Sequence, residues 1–439
     1  MKLFFQFDPA LRRNLIIFFG ASLCFWSGLA GMLPVLSLYV KSFGTSNQEI
    51  GWVMASFAIG LLGFRPTMAR FSDEQGRKPA LLIGIAVIAL APLLYLTVQW
   101  MPQFTIPISF FRWDIDLKSA VLFLTVFRAF HGLSIAAFST AYTAAIADMS
   151  PPQHRGELIG YMSLASPTGM AIGPALGGYL QSSFTFAFLA MTALGTIGIL
   201  CVLASREPER VSTDIDATGT HSAPPSPRQP TSNLAFWKLL FQPSVRIPAL
   251  ILFMVGIAFG SMVTFVPLKV NDIGLAVNIG LIYTMSAIAS FSIRAIAGKA
   301  SDQLGRGRFI SCGLVFYSLS MFALWQSNSA PMFLLAGALQ GCGSGTLIPI
   351  IAALMADRSH PGQRGLTFGL CLTGFDLGIA LAGPVMGRIA DATSYNLIFA
   401  LAGTMTLFGL LIFITTSSKD LAHSVRFALR DGCDVYAVK

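Results

Sequence analysis
Twelve apolar stretches, each long enough to cross a bilayer as a helix, limit what this chain can fold into. They run approximately from Asn14 to Val40, Ile50 to Met68, Ala80 to Val98, Ala120 to Ile146, Leu158 to Leu180 and Phe184 to Ala204. After a polar interval come Ile247 to Val270, Ile279 to Ala297, Phe309 to Trp325, Met332 to Ala356, Leu366 to Ala390 and Leu397 to Thr415. A hydrocarbon core ~30 Å thick takes about 20 helical residues per crossing. Lipid offers no hydrogen-bond partners, so only helices or a closed barrel can span it. A barrel would alternate polar and apolar residues over ~10-residue segments, whereas these runs are continuous. The expected fold class is therefore all-α integral membrane, and the composition agrees: 54% hydrophobic and 11% charged, against about 25% charged in soluble domains.

The first apolar stretch is too long for a cleavable signal and leads straight into more membrane sequence. Cys24, Cys201, Cys312, Cys342, Cys371 and Cys433 show no metal-ligand spacing, so no metal and no cofactor is expected. The net charge of +9 would suit nucleic acid if it were clustered. It is instead sorted by side. Of 29 Lys and Arg, twenty-one fall on one face of the predicted topology and five on the other, with Arg65, Arg128 and Arg294 inside helices. That asymmetry excludes a nucleic-acid reading and sets both termini in the cytoplasm.

Four regions are expected: a six-helix bundle at 1–205, a cytoplasmic linker at 206–245, a second bundle at 246–415 and a cytoplasmic tail at 416–439. The linker is proline-rich around Ser222 to Pro230, and its segment Leu234 to Phe241 mixes aromatic and basic residues in the manner of an interfacial strip. The Gln99 to Lys118 loop reads as an interfacial hairpin. The two bundles repeat each other. Arg65, Asp73, Gly76 and Arg77 recur as Arg294, Asp302, Gly305 and Arg306 at an offset of 229, and Ala147-Asp148 with Arg155-Gly156 recur as Ala356-Asp357 with Arg364-Gly365 at 209.

The loop Ala69-Arg-Phe-Ser-Asp73-Glu-Gln-Gly76-Arg77-Lys78 and its copy Gly298-Lys-Ala-Ser-Asp302-Gln-Leu-Gly305-Arg306 resemble the cytoplasmic signature of the major facilitator superfamily. Ala69 replaces the first glycine in one copy, and Gly307 the final basic residue in the other. Glycine allows a tight turn there and the basic residues hold the loop at the membrane surface. The resemblance implies two pseudo-symmetric six-helix bundles and a cytoplasmic gate of Asp73, Gly76, Arg77, Lys78, Asp302, Gly305 and Arg306. Arg65 and Arg294, ~12 Å along the helix from the loop aspartates, are assigned to the same gate, by local anchoring or an ion pair.

In the fifth helix, Gly160, Gly169, Gly173, Pro174, Gly177 and Gly178 resemble the motif of the exporting, proton-antiporting branch, and Gly383-Pro384 echoes it in the eleventh. Small residues let helices approach closely, so these positions are read as a hinge or sliding surface, with plain helix packing as the simpler reading. Arg128 and His131 share one helix face, and Arg128-x-x-x-Gly132 resembles the family's proton-linked fourth-helix motif. Asp376 is the only acid near the middle of a span. Intramembrane carboxylates mark substrate or proton paths, so Asp376, Arg128 and His131 are the candidate proton-coupling residues. The alternative for Asp376 is a static salt bridge with an interior arginine such as Arg128.

Phe25, Trp26, Tyr142, Tyr283 and Phe375 are candidate substrate-cavity residues. No phosphate-binding loop is present, which argues against direct ATP drive, and no nucleophile-base pair marks an enzyme. The expected function is secondary active transport, proton-coupled export of a small organic or drug-like molecule by rocker-switch alternating access. Proton-coupled uptake and a non-transporting receptor on the same scaffold are the alternatives. Expected partners are the small molecule, protons and the lipid bilayer, with a monomer as the functional unit in the plasma (inner) membrane.

Overall fold
A helix satisfies its own backbone hydrogen bonds, which is what the bilayer demands of each apolar stretch. The computed structural model describes residues 7–110, 113–151, 154–206, 241–360, 364–430 and 434–438. Among them, eleven helices are long and apolar enough to cross a membrane. The remaining crossing, span 5, is divided into Arg155–Ser163 and Ala165–Tyr179 about Leu164. Span 1 is Pro9–Gly31, continued after a turn by Leu36–Lys41, and spans 2, 3, 4 and 6 are Asn47–Gln75, Arg77–Thr97, Ser119–Met149 and Phe184–Ala204. Spans 7 to 12 are Pro243–Asp272, Gly280–Leu304, Arg306–Gln326, Ala330–Asp357, Arg364–Ala392 and Tyr395–Thr416. Most extend past their apolar runs, because helices continue to a cap beyond the hydrocarbon: Ser46 and Glu49 form a reciprocal capping box at the start of span 2.

Successive crossings alternate in direction. One face of the protein, the linker face, thus carries both terminal segments and the ends of the inter-bundle linker, while the hairpin face carries residues 105–118. That segment is the exception to the all-α architecture: β1 (Thr105–Phe110) and β2 (Trp113–Lys118) pair antiparallel, with Thr105 opposite Lys118. The proline-rich linker and all of Leu234 to Phe241 except Phe241 lie outside the described residues.

Large apolar side chains such as Ile16, Phe186, Ile296 and Leu335 point outward, as a lipid-facing surface requires. Between helices the packing relies on small residues, since lipid removes the hydrophobic drive for helices to associate. Gly132 of span 4 lies against the Phe57 carbonyl of span 2, and Gly341 of span 10 lies against the Ser286 carbonyl of span 8. These contacts are related by the same offsets as the sequence repeat, so the two bundles are copies in packing as well as in motif. In the motif loops, Gly76 and Gly305 adopt φ of 112° and 92°, a region that disfavours a side chain, and so turn the chain directly from one span into the next.

Within the segment read as a cytoplasmic tail, the described residues dock on the C-terminal bundle. Helix Leu421–Leu429 packs on spans 9 and 12, Ser311 Oγ donates to the Ala428 carbonyl at 2.9 Å, and Val438 N–H donates to the Asp357 carbonyl at 2.9 Å. Arg358 holds it in place. Its guanidinium forms a two-point pair with Asp434 at 2.7 and 3.0 Å, donates to the Ser244 and Ser417 carbonyls, and lies near the Phe427 and Tyr436 rings. On the hairpin face, Lys269 is buried and donates to the Leu324 and Trp325 carbonyls that end span 9.

Candidate functional site
The bundles meet tightly at the hairpin face. There Gly51 of span 2 abuts Gly383 of span 11, Gly387 abuts the Asn47 carbonyl, Gly280 of span 8 abuts the Pro174 carbonyl of span 5, and Gly178 abuts Asn278 and Gly280. Polar contacts reinforce this seal. Thr284 donates to the Ala171 carbonyl at 2.7 Å and Asn278 Nδ2 to the Ala175 carbonyl at 3.3 Å. Asp391, at the end of span 11, accepts the N–H groups of Asn47 and Gln48 at 2.9 Å each, supplying the first turn of span 2 with a carboxylate from the other bundle. Tyr395 donates to Asn47 at 2.6 Å and accepts from Lys41 at 3.2 Å.

Toward the linker face the spans separate. Side-chain positions added at Gly63, Gly160, Gly298 and Gly369 would meet nothing within 4 Å. The fifth-helix glycines therefore act in two ways. Gly169, Gly173 and Gly177 seat span 5 on span 1, at Trp26, Ser27 and Gly31, while Pro174 and Gly178 seat it on span 8, and Gly160 faces open space. Gly383-Pro384 packs on span 2.

Linker-ward of the seal, Arg65 Nη1 approaches Asp376 Oδ2 at 2.9 Å, joining span 2 of one bundle to span 11 of the other. The Asp376 side chain is 10% exposed and Arg65 is 36% exposed. Asp376 Oδ2 makes no hydrogen bond of proper geometry, so the pair is held by charge rather than by directional bonding. Arg128 is not its partner. That guanidinium is buried within the N-terminal bundle, with Nη1 3.1 Å from His131 Nδ1 and its carbon 4.4 Å from the centroid of the Phe57 ring. Tyr95 Oη lies 2.9 Å from the same ring nitrogen. An arginine can only donate, so His131 Nδ1 is the acceptor and the proton of a neutral ring sits on Nε2, which has no partner. In the C-terminal bundle Gln340 occupies the position of His131, donating to Tyr317 Oη at 2.9 Å and accepting from Ser286.

Among the described residues, each gate arginine gathers two acids of its own bundle. Arg77 contacts Asp73 at 2.6 Å and Asp148 at 3.1 Å, and Lys78 donates to the Leu203 and Ser205 carbonyls. In the second copy Arg306 contacts Asp302 at 3.2 Å and also pairs with Asp357. Each arginine thus ties the ends of three spans together at the linker face.

The cavity candidates divide. Trp26 and Tyr142 line a cleft of about 130 Å³ with Ser22, Ser139, Thr143 and Ser166, beside the break in span 5. Phe25 is fully buried and stacked on Phe138 at 4.0 Å, so it packs the bundle core instead of lining open space. Tyr283 is also buried, its hydroxyl near the Met262 and Val263 carbonyls, and Phe375 is half-buried 5.7 Å from the Phe259 ring. Sequence reasoning passed over Asp391, Asn278 and Thr284, which act only once the two bundles are brought together. A simple check of the seal follows. Asp391→Asn should weaken it by about 1 kcal/mol, the worth of a carboxylate at an exposed helix N-terminus, and raise thiol labelling of a cysteine placed at the half-buried Gln48. Unchanged labelling would reduce Asp391 to an ornament of the surface.

Two six-helix bundles sealed at one face and parted at the other, with a charge pair between them, have the architecture of an alternating-access transporter. The chain belongs to the Major Facilitator Superfamily, whose family profile matches residues 17–293 and 271–428. It is 25% identical over 402 residues to multidrug resistance protein 1 of Bacillus subtilis (strain 168), covering 90% of this chain and 94% of that protein. It is 24% identical over 410 residues to the staphylopine export protein of Staphylococcus aureus (strain Mu50 / ATCC 700699), covering 91% and 94%. Among solved structures it resembles the nucleoside transporter NupG, with a TM-score of 0.70, 14% identity, and 93% and 98% of the two chains covered. The D-xylose-proton symporter superposes with a TM-score of 0.68 at 14% identity, over 92% and 97%.

Proposed function
We propose that the chain exports a small organic molecule in exchange for protons, with the linker face in the cytoplasm of a plasma (inner) membrane and a single chain as the working unit. The observation that carries the reading is the Arg65–Asp376 pair, a charged link between bundles at the head of an open gap. Protonating Asp376 removes its charge and so removes the attraction that joins spans 2 and 11 there; deprotonation restores it. A proton arriving at Asp376 and a substrate leaving the gap are thereby coupled through one bistable contact. Export is supported by relatives whose names describe multidrug resistance and staphylopine export. Inverted vesicles test it. With an imposed pH gradient, substrate should accumulate as protons leave the lumen, and accumulation under the opposite gradient would favour uptake by symport. The orientation has its own check: cysteines introduced at Arg77, Thr220 and Gly305 should label from the cytoplasm and one at Asp114 from outside, and outside labelling at Thr220 would reverse it.

A further inference from the structure
The repeat leaves one arginine without the acid that its twin has. Arg65 and Arg294 are equivalent in the two bundles, and Arg65 is paired with Asp376 of span 11. Span 5 is the counterpart of span 11, and the packing fixes their register. Gly169 seats span 5 on Trp26 and Ser27 of span 1, as Gly378 seats span 11 on Phe253 and Ile257 of span 7. Two residues before Gly378 stands Asp376; two residues before Gly169 stands Pro167. Among the described residues no carboxylate pairs with Arg294.

Arg294 nevertheless opens into space inside the protein. On span 8 it shares one helical stripe with Tyr283, Ser290 and Ser301, at spacings of seven, four and seven. Those three are buried, at 6%, 8% and 1% exposure, so the stripe faces protein, yet Arg294 between them is exposed. The lipid-facing side of the same helix carries Met285 and Ile296. Tyr283 and Ser290 pack on their own bundle, at the Met262 and Val263 carbonyls and at Ser344, so Arg294 stands at the edge of that packed face, in the position that Arg65 holds toward the other bundle, and Gly298 one turn further along meets nothing within 4 Å.

We infer that Arg294 is a receptor for a negatively charged group on the transported molecule, a small organic carboxylate or similar anion, which occupies the place that Asp376 takes against Arg65. The assignment rests on the exporter reading for what enters the gap. A guanidinium facing a partly dehydrated gap without a counter-ion favours an anion, and its planar fork matches a carboxylate at two points. Because Arg65 is already neutralised by Asp376, the gap as a whole favours anions over cations.

Binding and transport are measured separately. Binding of carboxyfluorescein and of ethidium to the full-length protein in lipid-free detergent should favour the anionic dye. Arg294→Gln should weaken carboxyfluorescein about tenfold or more without lowering ethidium affinity, and Arg294→Lys should lose less. Pro167→Asp restores the missing acid at a first-turn helical position that tolerates it, and should weaken the anionic dye equally while Arg294 stays in place. Undiminished carboxyfluorescein binding in both Arg294→Gln and Pro167→Asp overturns the inference. So does an anionic lipid that binds at Arg294 when the soluble dye does not. Loss of pH-driven movement of every dye with anion binding intact would instead sink the exporter reading and leave the anion site standing.

Discussion

Asp376→Asn is expected to abolish transport driven by a pH gradient while leaving the protein folded and able to bind substrate. The amide keeps the shape of the protonated acid but cannot titrate, so the contact with Arg65 loses its charged state. Stability should change by about 1 kcal/mol or less, because Arg65 is one-third exposed and water takes over its solvation. The double change Asp376→Asn with Arg65→Gln should recover that small loss without recovering transport. A purely structural pair would behave differently, with the double variant regaining both. Proton-coupled movement into inverted vesicles, read beside thermal unfolding in detergent, separates the outcomes. Full pH-driven transport by a stable Asp376→Asn protein would eliminate the carrier role and turn attention to Arg128 and His131.

The largest effect on stability is expected at Arg358. Its side chain is 1% exposed, and it satisfies Asp434 together with two carbonyls that end or begin spans 12 and 7. Arg358→Ala would strand a largely buried carboxylate and both carbonyls, at a cost of about 3–5 kcal/mol. Arg358→Lys keeps the charge but loses the two-point geometry and should fall between. Thermal unfolding in detergent reads the difference, and releasing the tail should appear first as proteolysis near Leu421. Wild-type unfolding of Arg358→Ala would mean that the tail docks without help from this pair.

The sequence carried the parts of this picture that depend on local pattern. Apolar length gave the spans, and the four-residue spacing of Asp73 from Arg77 and of Asp302 from Arg306 is a single helical contact; Asp148 and Asp357, which complete each cluster, come from another span and were read only as part of the repeat. Arg128 and His131 lie three apart, so their meeting was legible from helix geometry alone. The Arg65–Asp376 pair was not, because each residue had several possible partners and the choice depends on how one bundle is set against the other. The same holds for Asp391, whose partners are backbone groups of a helix at the opposite end of the chain. Phe25 was misplaced for a related reason: an aromatic on a cavity-lining helix has a front and a back, and stacking on Phe138 put it at the back. The docking of Leu421–Leu429 was hidden because the short helix gains its footing from Arg358, a residue that reads in sequence as one more positive charge on a loop.

Asp391 and the first turn of span 2 also bear on how the closed face can open. Two peptide donors there borrow their acceptor from the far bundle at an exposed edge of the seal, so as the bundles part the donors and the carboxylate exchange each other for water. The edge of the seal is consequently a place where water takes over from protein, and the opening step takes up water. Lowering water activity with an osmolyte too large to enter the gap should then slow the swing toward the hairpin-open state, making hydration a reactant in the transport cycle rather than its surroundings.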